Sequence, residues 1–269
     1  MSTTDPDELR MLGDSLRTAM LSCAGSGQKL DAALSDLGWR EMLDEIPDLA
    51  IPLVFRLLGE TGAHAPVLND VVLRAMGFDA GGTVALPFTA GWVVWERTDG
   101  PTSAVDGDLP IHPAARGEAP APAALAAGRR ALGWWLVGSS RAMLALARQH
   151  AVDRVQFGRR ISSFQAIRHR LAETLVALEG AEATLQAADG ADALASALAK
   201  AAAGQAALTA ARHCQQVLGG VGFTAEHQLH RHIKRSLILD GLLGSARGLT
   251  REAGKALLAN GSAPRLIQL

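Results

Sequence analysis

From residue 123 onward the chain is a nearly unbroken series of helical apolar repeats, and this limits its fold more than any other feature. One helix is expected over residues 124–149. The next is expected to open at Ser162, with Gln165 three residues on as a capping box, and to carry Phe164, Ile167, Leu171, Leu175 and Leu178 as its apolar stripe. Asp189-Gly190 should stop it. A third helix reads over residues 191–218 and ends at Gly219, a residue suited to a left-handed helix exit. A fourth starts near Glu226 and passes Asp240, with more helix over 247–258. Long helices with short connections pack as an antiparallel four-helix bundle. The abundance of Ala and Leu fits close helix packing, and a GC-rich genome would produce the same bias.

The first third is also helical, with segments expected over 7–21, 28–44, 51–62 and 67–76. The second either ends near Leu37-Gly38-Trp39 or runs past it. The apolar period then changes. Residues 81–86 and 91–95 read as two short strands around Pro87. The stretch 98–124, with Pro101, Pro110, Pro113, Pro120 and Pro122, reads as a linker or irregular crossing outside the core. The expected organisation is an N-terminal helical part (1–78), a reduced β segment with linker (79–122) and a C-terminal helical bundle (123–269). The fold class is mainly α.

Charge narrows the function. Lys plus Arg number 26 against 27 Asp plus Glu, so no overall field favours nucleic acid or an anionic membrane. No apolar run is long enough to span a bilayer, and the acidic start is the wrong sign for a targeting peptide. Cys23 and Cys214 form neither a CxxC pair nor a metal signature, which fits a reducing cytoplasm.

Two stretches could carry chemistry. Arg154-Val155-Gln156-Phe157-Gly158, followed by Ile161 and Phe164-Gln165, places a cation and a bend beside a helix start, a physical site for a pyrophosphate. Alone, it reads more readily as an Arg that caps a carbonyl beside an ordinary interhelical turn. Gln216-Val217-Leu218-Gly219-Gly220-Val221-Gly222-Phe223 follows a helix and not a strand, so it is no Rossmann fingerprint. Its glycines would let a flat or anionic ligand approach the backbone, or would simply end a helix. His213, His227, His230 and His232 complete no metal signature. Trp134-Trp135 reads as core or subunit contact, with stacking on a flavin or adenine the sharper alternative. Arg231, Lys234 and Arg235 form a basic patch, either solvated or facing phosphates.

The ordered series R-x-x-F-G-x-x-I-x-x-F-Q, a long helix pair, and Q-x-x-G-G-x-G-F-T-x-E-H resembles the C-terminal domain of acyl-CoA dehydrogenases. The resemblance covers residues 123–248 closely and extends weakly to Leu37-Gly38-Trp39 and Leu57-Leu58-Gly59-Glu60. It implies FAD held across a subunit interface. Arg154, Phe157, Gln216, Gly219 and Gly220 would then contact the adenosine diphosphate half of a FAD bound mainly by the neighbouring chain.

The sequence departs from the family at the base. Counting from Gly219-Gly220, the family's Glu-Gly-Thr falls on Leu243-Gly244-Ser245. The alternative base position, beside the Arg that matches Arg129, is Gly128. Asp240 lies one helical turn before Leu243, and a solvated or salt-bridged role suits it better than that of a displaced base. The resemblance thus implies no catalytic residue in this chain and no metal. It implies a degenerate subunit of a heteromeric α2β2 acyl-CoA dehydrogenase of actinobacterial type, paired with a full-length subunit. The substrate would be an acyl-CoA such as a steroid thioester, with electron-transferring flavoprotein as the acceptor. Two other readings compete: a flavin-free helical scaffold of the same ancestry, and a self-sufficient flavoenzyme of different chemistry.

Overall fold

The computed structural model describes residues 6–89, 91–100, 106–188 and 192–262. Five helices open the chain: α1 (Pro6–Ser22), α2 (Gly27–Asp36), α3 (Trp39–Glu45), α4 (Pro47–Thr61) and α5 (Val67–Ala75). Leu37-Gly38-Trp39 does end a helix. Gly38 sits at φ +80°, a left-handed conformation that a Cβ disfavours, so the segment read over 28–44 becomes α2 and α3. Ser26 caps α2 by accepting the Lys29 N–H, and its hydroxyl donates to Asp99.

The middle segment holds a three-stranded antiparallel sheet in the order β1 (Ala85–Phe88), β2 (Gly91–Trp95), β3 (Ile111–Ala114). Two sequence expectations need correction here. The first strand lies later than 81–86, because Gly81 turns at φ +103°. The stretch 98–124 is also no mere linker, because it supplies β3 and buries Asp106 and Leu109 completely. Its prolines hid the strand. Pro87 and Pro113 sit on the two outer strands, where a missing N–H breaks no interior ladder. Pro101 lies outside the described residues. Buried Asp70 ties sheet to helices, accepting from Trp39 Nε1 (3.0 Å), from the Gly81 N–H (2.8 Å) and from Arg97.

The remainder is helical: α6 (Pro122–Asp153), a hairpin of β4 (Val155–Gln156) and β5 (Arg159–Arg160), α7 (Gln165–Ala187), α8 (Ala193–Leu218), α9 (Leu229–Gly241) and α10 (Ala246–Asn260). Helix α6 packs against α4, α5, α7, α8 and α9, while α7 and α10 both lie on α8. Being surrounded, α6 is buried almost all round its middle. It meets α4 backbone to backbone, since a Cβ at Gly138 would stand 2.1 Å from the Arg56 carbonyl oxygen.

The capping box expected at Ser162 does not form. Ser162 belongs to a 3-10 turn (Ile161–Ser163), Phe164 precedes α7, and no side chain caps that helix. Of the expected apolar stripe, Leu178 is buried and Leu175 is 44% exposed. The stop at Asp189-Gly190 lies outside the described residues. Asp192 caps α8 through the N–H groups of Leu194 and Ala195. One cluster of buried apolar side chains runs from Leu16 through Trp95 and Trp135 to Leu243. Trp135 stacks on Trp95 with ring centroids 5.5 Å apart, and this settles its place in the core.

Candidate functional site

The residues matched to cofactor contacts gather at one end of the helical part. A second buried cluster joins Ala151 of α6, Cys214, Val217 and Leu218 of α8, and Leu229 of α9, with Ile161 and Ile167 packed against it. That packing brings the β4–β5 hairpin, the end of α8 and the start of α9 together. Arg154 closes α6 through its N–H to the His150 carbonyl, and its own carbonyl accepts the Ile161 N–H at 2.9 Å. Its guanidinium is exposed and makes no ion pair among the described residues.

Phe157 and Gly158 form the two-residue turn of the hairpin, both left-handed at φ +52° and +74°. Such turns favour Asn-Gly, because a bulky side chain at positive φ is strained. Phe157 is nevertheless 91% exposed, touching Phe164 edge-on. Apart from that ring contact the aromatic is left to solvent. Gln216 is exposed. Gly219, at φ +64°, ends α8, and a Cβ at either Gly219 or Gly220 would meet no atom within 4 Å. Gly220 therefore faces open space. Unpaired Arg154, the exposed ring and the open glycine backbone fit the diphosphate and adenosine of a dinucleotide.

The second constellation is the turn between α9 and α10. Leu243 stands in the left-handed region at φ +55° and Gly244 follows at φ +106°. Five polar contacts hold this backbone. The Leu243 N–H donates to the Pro87 carbonyl at 2.8 Å, and Arg129 Nε donates to the Leu243 carbonyl at 3.0 Å. Lys200 Nζ donates to the Asp240 and Gly244 carbonyls at 2.9 and 2.6 Å. Asp240 Oδ1 accepts the Ala246 N–H at 2.9 Å. Ser245 caps α10 by accepting from the Gly248 N–H. Gly244 and Ser245 thus have structural work in the turn and the cap.

The two base positions converge in space. A Cβ at residue 128 would lie 2.5 Å from Leu243 Cδ1 and 3.1 Å from Val72 Cγ2. The Leu243 side chain, 1% exposed, fills the space in front of Gly128, so one apolar group occupies what both seats face. Asp240 has one carboxylate oxygen committed to the α10 backbone.

Lys200 was not singled out from the sequence, although it is the lone charge between Asp192 and Arg212. It is fully buried, and burial pushes its pKa down to about 7 despite the nearby Asp240 carboxylate. The unfolded lysine stays protonated up to about 10.5, so folding releases a proton between pH 7 and 10.5 and stability rises with pH across that window. Thermal melts at pH 7 and pH 9 should show the higher midpoint at pH 9. The difference should shrink in Lys200→Met; an equal slope in that variant would contradict the assignment.

The histidines assemble no metal site, and no group of three ligands able to hold an ion occurs among the described residues. Burial drives the Cys214 thiol up to about 12, which removes it as a nucleophile. Arg235 does not belong to the surface basic patch. It is buried and paired to Asp106 at 2.6 Å. No helix is long and apolar enough to cross a membrane among the described residues.

Residues 116–258 match the family model described as acyl-CoA dehydrogenase, C-terminal domain. Acyl-CoA dehydrogenase FadE34 of Mycobacterium tuberculosis is 33% identical over 206 residues, which cover 68% of this chain and 29% of that protein. The chain spans about a third of the length of the curated relatives it matches. Among solved structures, the Tcur3481-Tcur3483 steroid ACAD aligns with a TM-score of 0.69 at 21% identity, covering 95% of this chain and 98% of that one. The ChsE4-ChsE5 complex from Mycobacterium tuberculosis aligns with a TM-score of 0.66 at 21% identity, covering 98% of this chain and 100% of that one. With the family model matching more than half of the sequence, the chain belongs to the acyl-CoA dehydrogenase family.

Proposed function

We propose that the chain is the non-catalytic subunit of a heteromeric, FAD-dependent acyl-CoA dehydrogenase, paired with a full-length family member in an α2β2 assembly. The observation that carries this reading is Leu243. The turn that would present a base keeps its shape through Arg129 and Lys200, yet an apolar side chain fills it and the space before Gly128. Abstraction of an α-proton needs a carboxylate within hydrogen-bond reach of that proton. With Leu243 and Gly128 in the two seats and Asp240 turned to the α10 backbone, the base comes from the partner.

Arg154, Phe157, Gln216, Gly219 and Gly220 would hold the adenosine diphosphate half of a FAD shared with the partner. When bound, FAD accepts the hydride that leaves the β-carbon of the acyl-CoA. Arg154 would pair with diphosphate oxygens, Phe157 would cover the neighbouring ring or chain, and the open backbone at Gly220 would admit close approach. Likeness to a solved steroid enzyme supports a steroid-derived CoA thioester as the substrate of the assembly. The acceptor expected from the family is electron-transferring flavoprotein.

The test is co-purification with a full-length family partner, reading the visible flavin band. The complex should be yellow and the lone chain colourless. Arg154→Ala in this chain should weaken flavin retention roughly 10-fold or more, the effect of one charged hydrogen-bonding group. Flavin in the lone chain, or full retention with Arg154→Ala, would overturn the reading. No flavin in either sample would favour the scaffold alternative.

A further inference from the structure

At the start of α9 lies a cleft of about 570 Å³ that the proposed FAD contacts do not use. The ends of α1 and α4 wall one side, and the first turns of α9 wall the other. His230 and Arg231 stand four and three residues before Lys234 on α9 and so share its face, with His227 in the turn just before the helix. Arg231 already pairs with Asp108 at 3.3 Å through Nε, which leaves its terminal nitrogens available. The side chains of Lys234 and His230 have no hydrogen bond or ion pair among the described residues.

The histidines supply donors. His227 Nδ1 accepts the Leu229 N–H at 3.1 Å, so the ring proton of neutral His227 resides on Nε2. His232 lines the same cleft, is 6% exposed, and has an Nδ1 without a partner. Burial, with Arg235 and Arg231 nearby, lowers its pKa to about 4, so it enters the cleft as a neutral ring. Against these donors stand Asp108, itself shared between Arg231 and Arg235, and exposed Glu226. A cleft whose wall carries Lys234, Arg231, His227 and His230 is rich in N–H donors, the chemistry an oxyanion takes.

We propose that this cleft is a phosphate-binding subsite, taking a phosphate or pyrophosphate group between Lys234, Arg231 and His230, with His232 at its back. No residue of the Arg154 hairpin lines the cleft, and the proposal does not depend on the shared-FAD reading.

Inorganic pyrophosphate titrated into the full chain by calorimetry, with ADP in parallel, tests it. Binding that remains in the Arg154→Ala background, where the hairpin's own diphosphate contact is removed, should weaken about 10-fold on adding Lys234→Ala or His230→Ala, with each variant's melting curve checked for intact folding. Tighter binding of ADP than of pyrophosphate would assign the phosphate to a nucleotide; equal affinity would assign it to a free phosphate. No binding, or binding lost in Arg154→Ala and kept in Lys234→Ala, would overturn the proposal.

Discussion

Replacing Asp106 with Ala should cost about 3–5 kcal/mol of folding free energy, because it strands a buried cation. Asp106 and Arg235 are 0% and 1% exposed and pair at 2.6 Å. Without the carboxylate, Arg235 keeps one bond to the Ala63 carbonyl at 3.1 Å and a contact of 3.8 Å with half-exposed Asp108. Neither replaces a buried counter-charge. The pair joins the segment before β3 to α9 and to the loop after α4, so its loss should loosen three elements at once. Urea unfolding measures the change, and the double variant Asp106→Leu with Arg235→Met should recover much of it. A loss below about 1 kcal/mol in Asp106→Ala would show that the pair is solvated in solution.

Leu243→Glu should be nearly as severe and should not make the lone chain a dehydrogenase. The site is 1% exposed and lies against Leu68, Val72 and the α6 backbone at Gly128. Arg129, a cation at this turn, already spends its Nε on the Leu243 carbonyl. An ionised carboxylate there costs about 3 kcal/mol or more unless it takes up a proton. Its folded pKa would therefore rise above the unfolded value, the native state would bind the extra proton, and stability would fall as pH rises. Melting midpoints at pH 5 and pH 8 should show the larger deficit at pH 8, while Leu243→Met should cost under about 1.5 kcal/mol at both. A Glu variant as stable as the parent would mean that the corner is wet and open to substrate.

Much of the helical frame was legible in the sequence, because apolar spacing and Gly stops are local signals. Gly219 marks an end that the structure places where the sequence puts it, and Gly38 decides between the two alternatives that the sequence left open at Leu37-Gly38-Trp39. The strand around Ile111 was not legible, since prolines that suit an edge strand are the same residues that suit a linker. The capping box at Ser162 failed because the chain makes a 3-10 turn first, bringing Phe164 under Arg159, whose guanidinium carbon lies 4.2 Å above the ring. At the candidate site, the family resemblance located Leu243 and Gly128 as the two seats, but only packing could show that one side chain fills both. Lys200 was hidden for a related reason. A single lysine in an Ala-rich helix looks solvated until its two carbonyl partners, forty and forty-four residues away, are brought to it.

The central claim concerns who supplies flavin and base, and the flavin count of the intact assembly tests it most directly. Native mass spectrometry of this chain co-purified with its full-length partner gives chains and cofactors in one spectrum. The account expects an α2β2 assembly with one FAD for every two chains, and that ratio should persist when Leu243 is left unchanged and the partner's own base is removed. One FAD for every chain, or FAD carried by this chain in the absence of a partner, would contradict it.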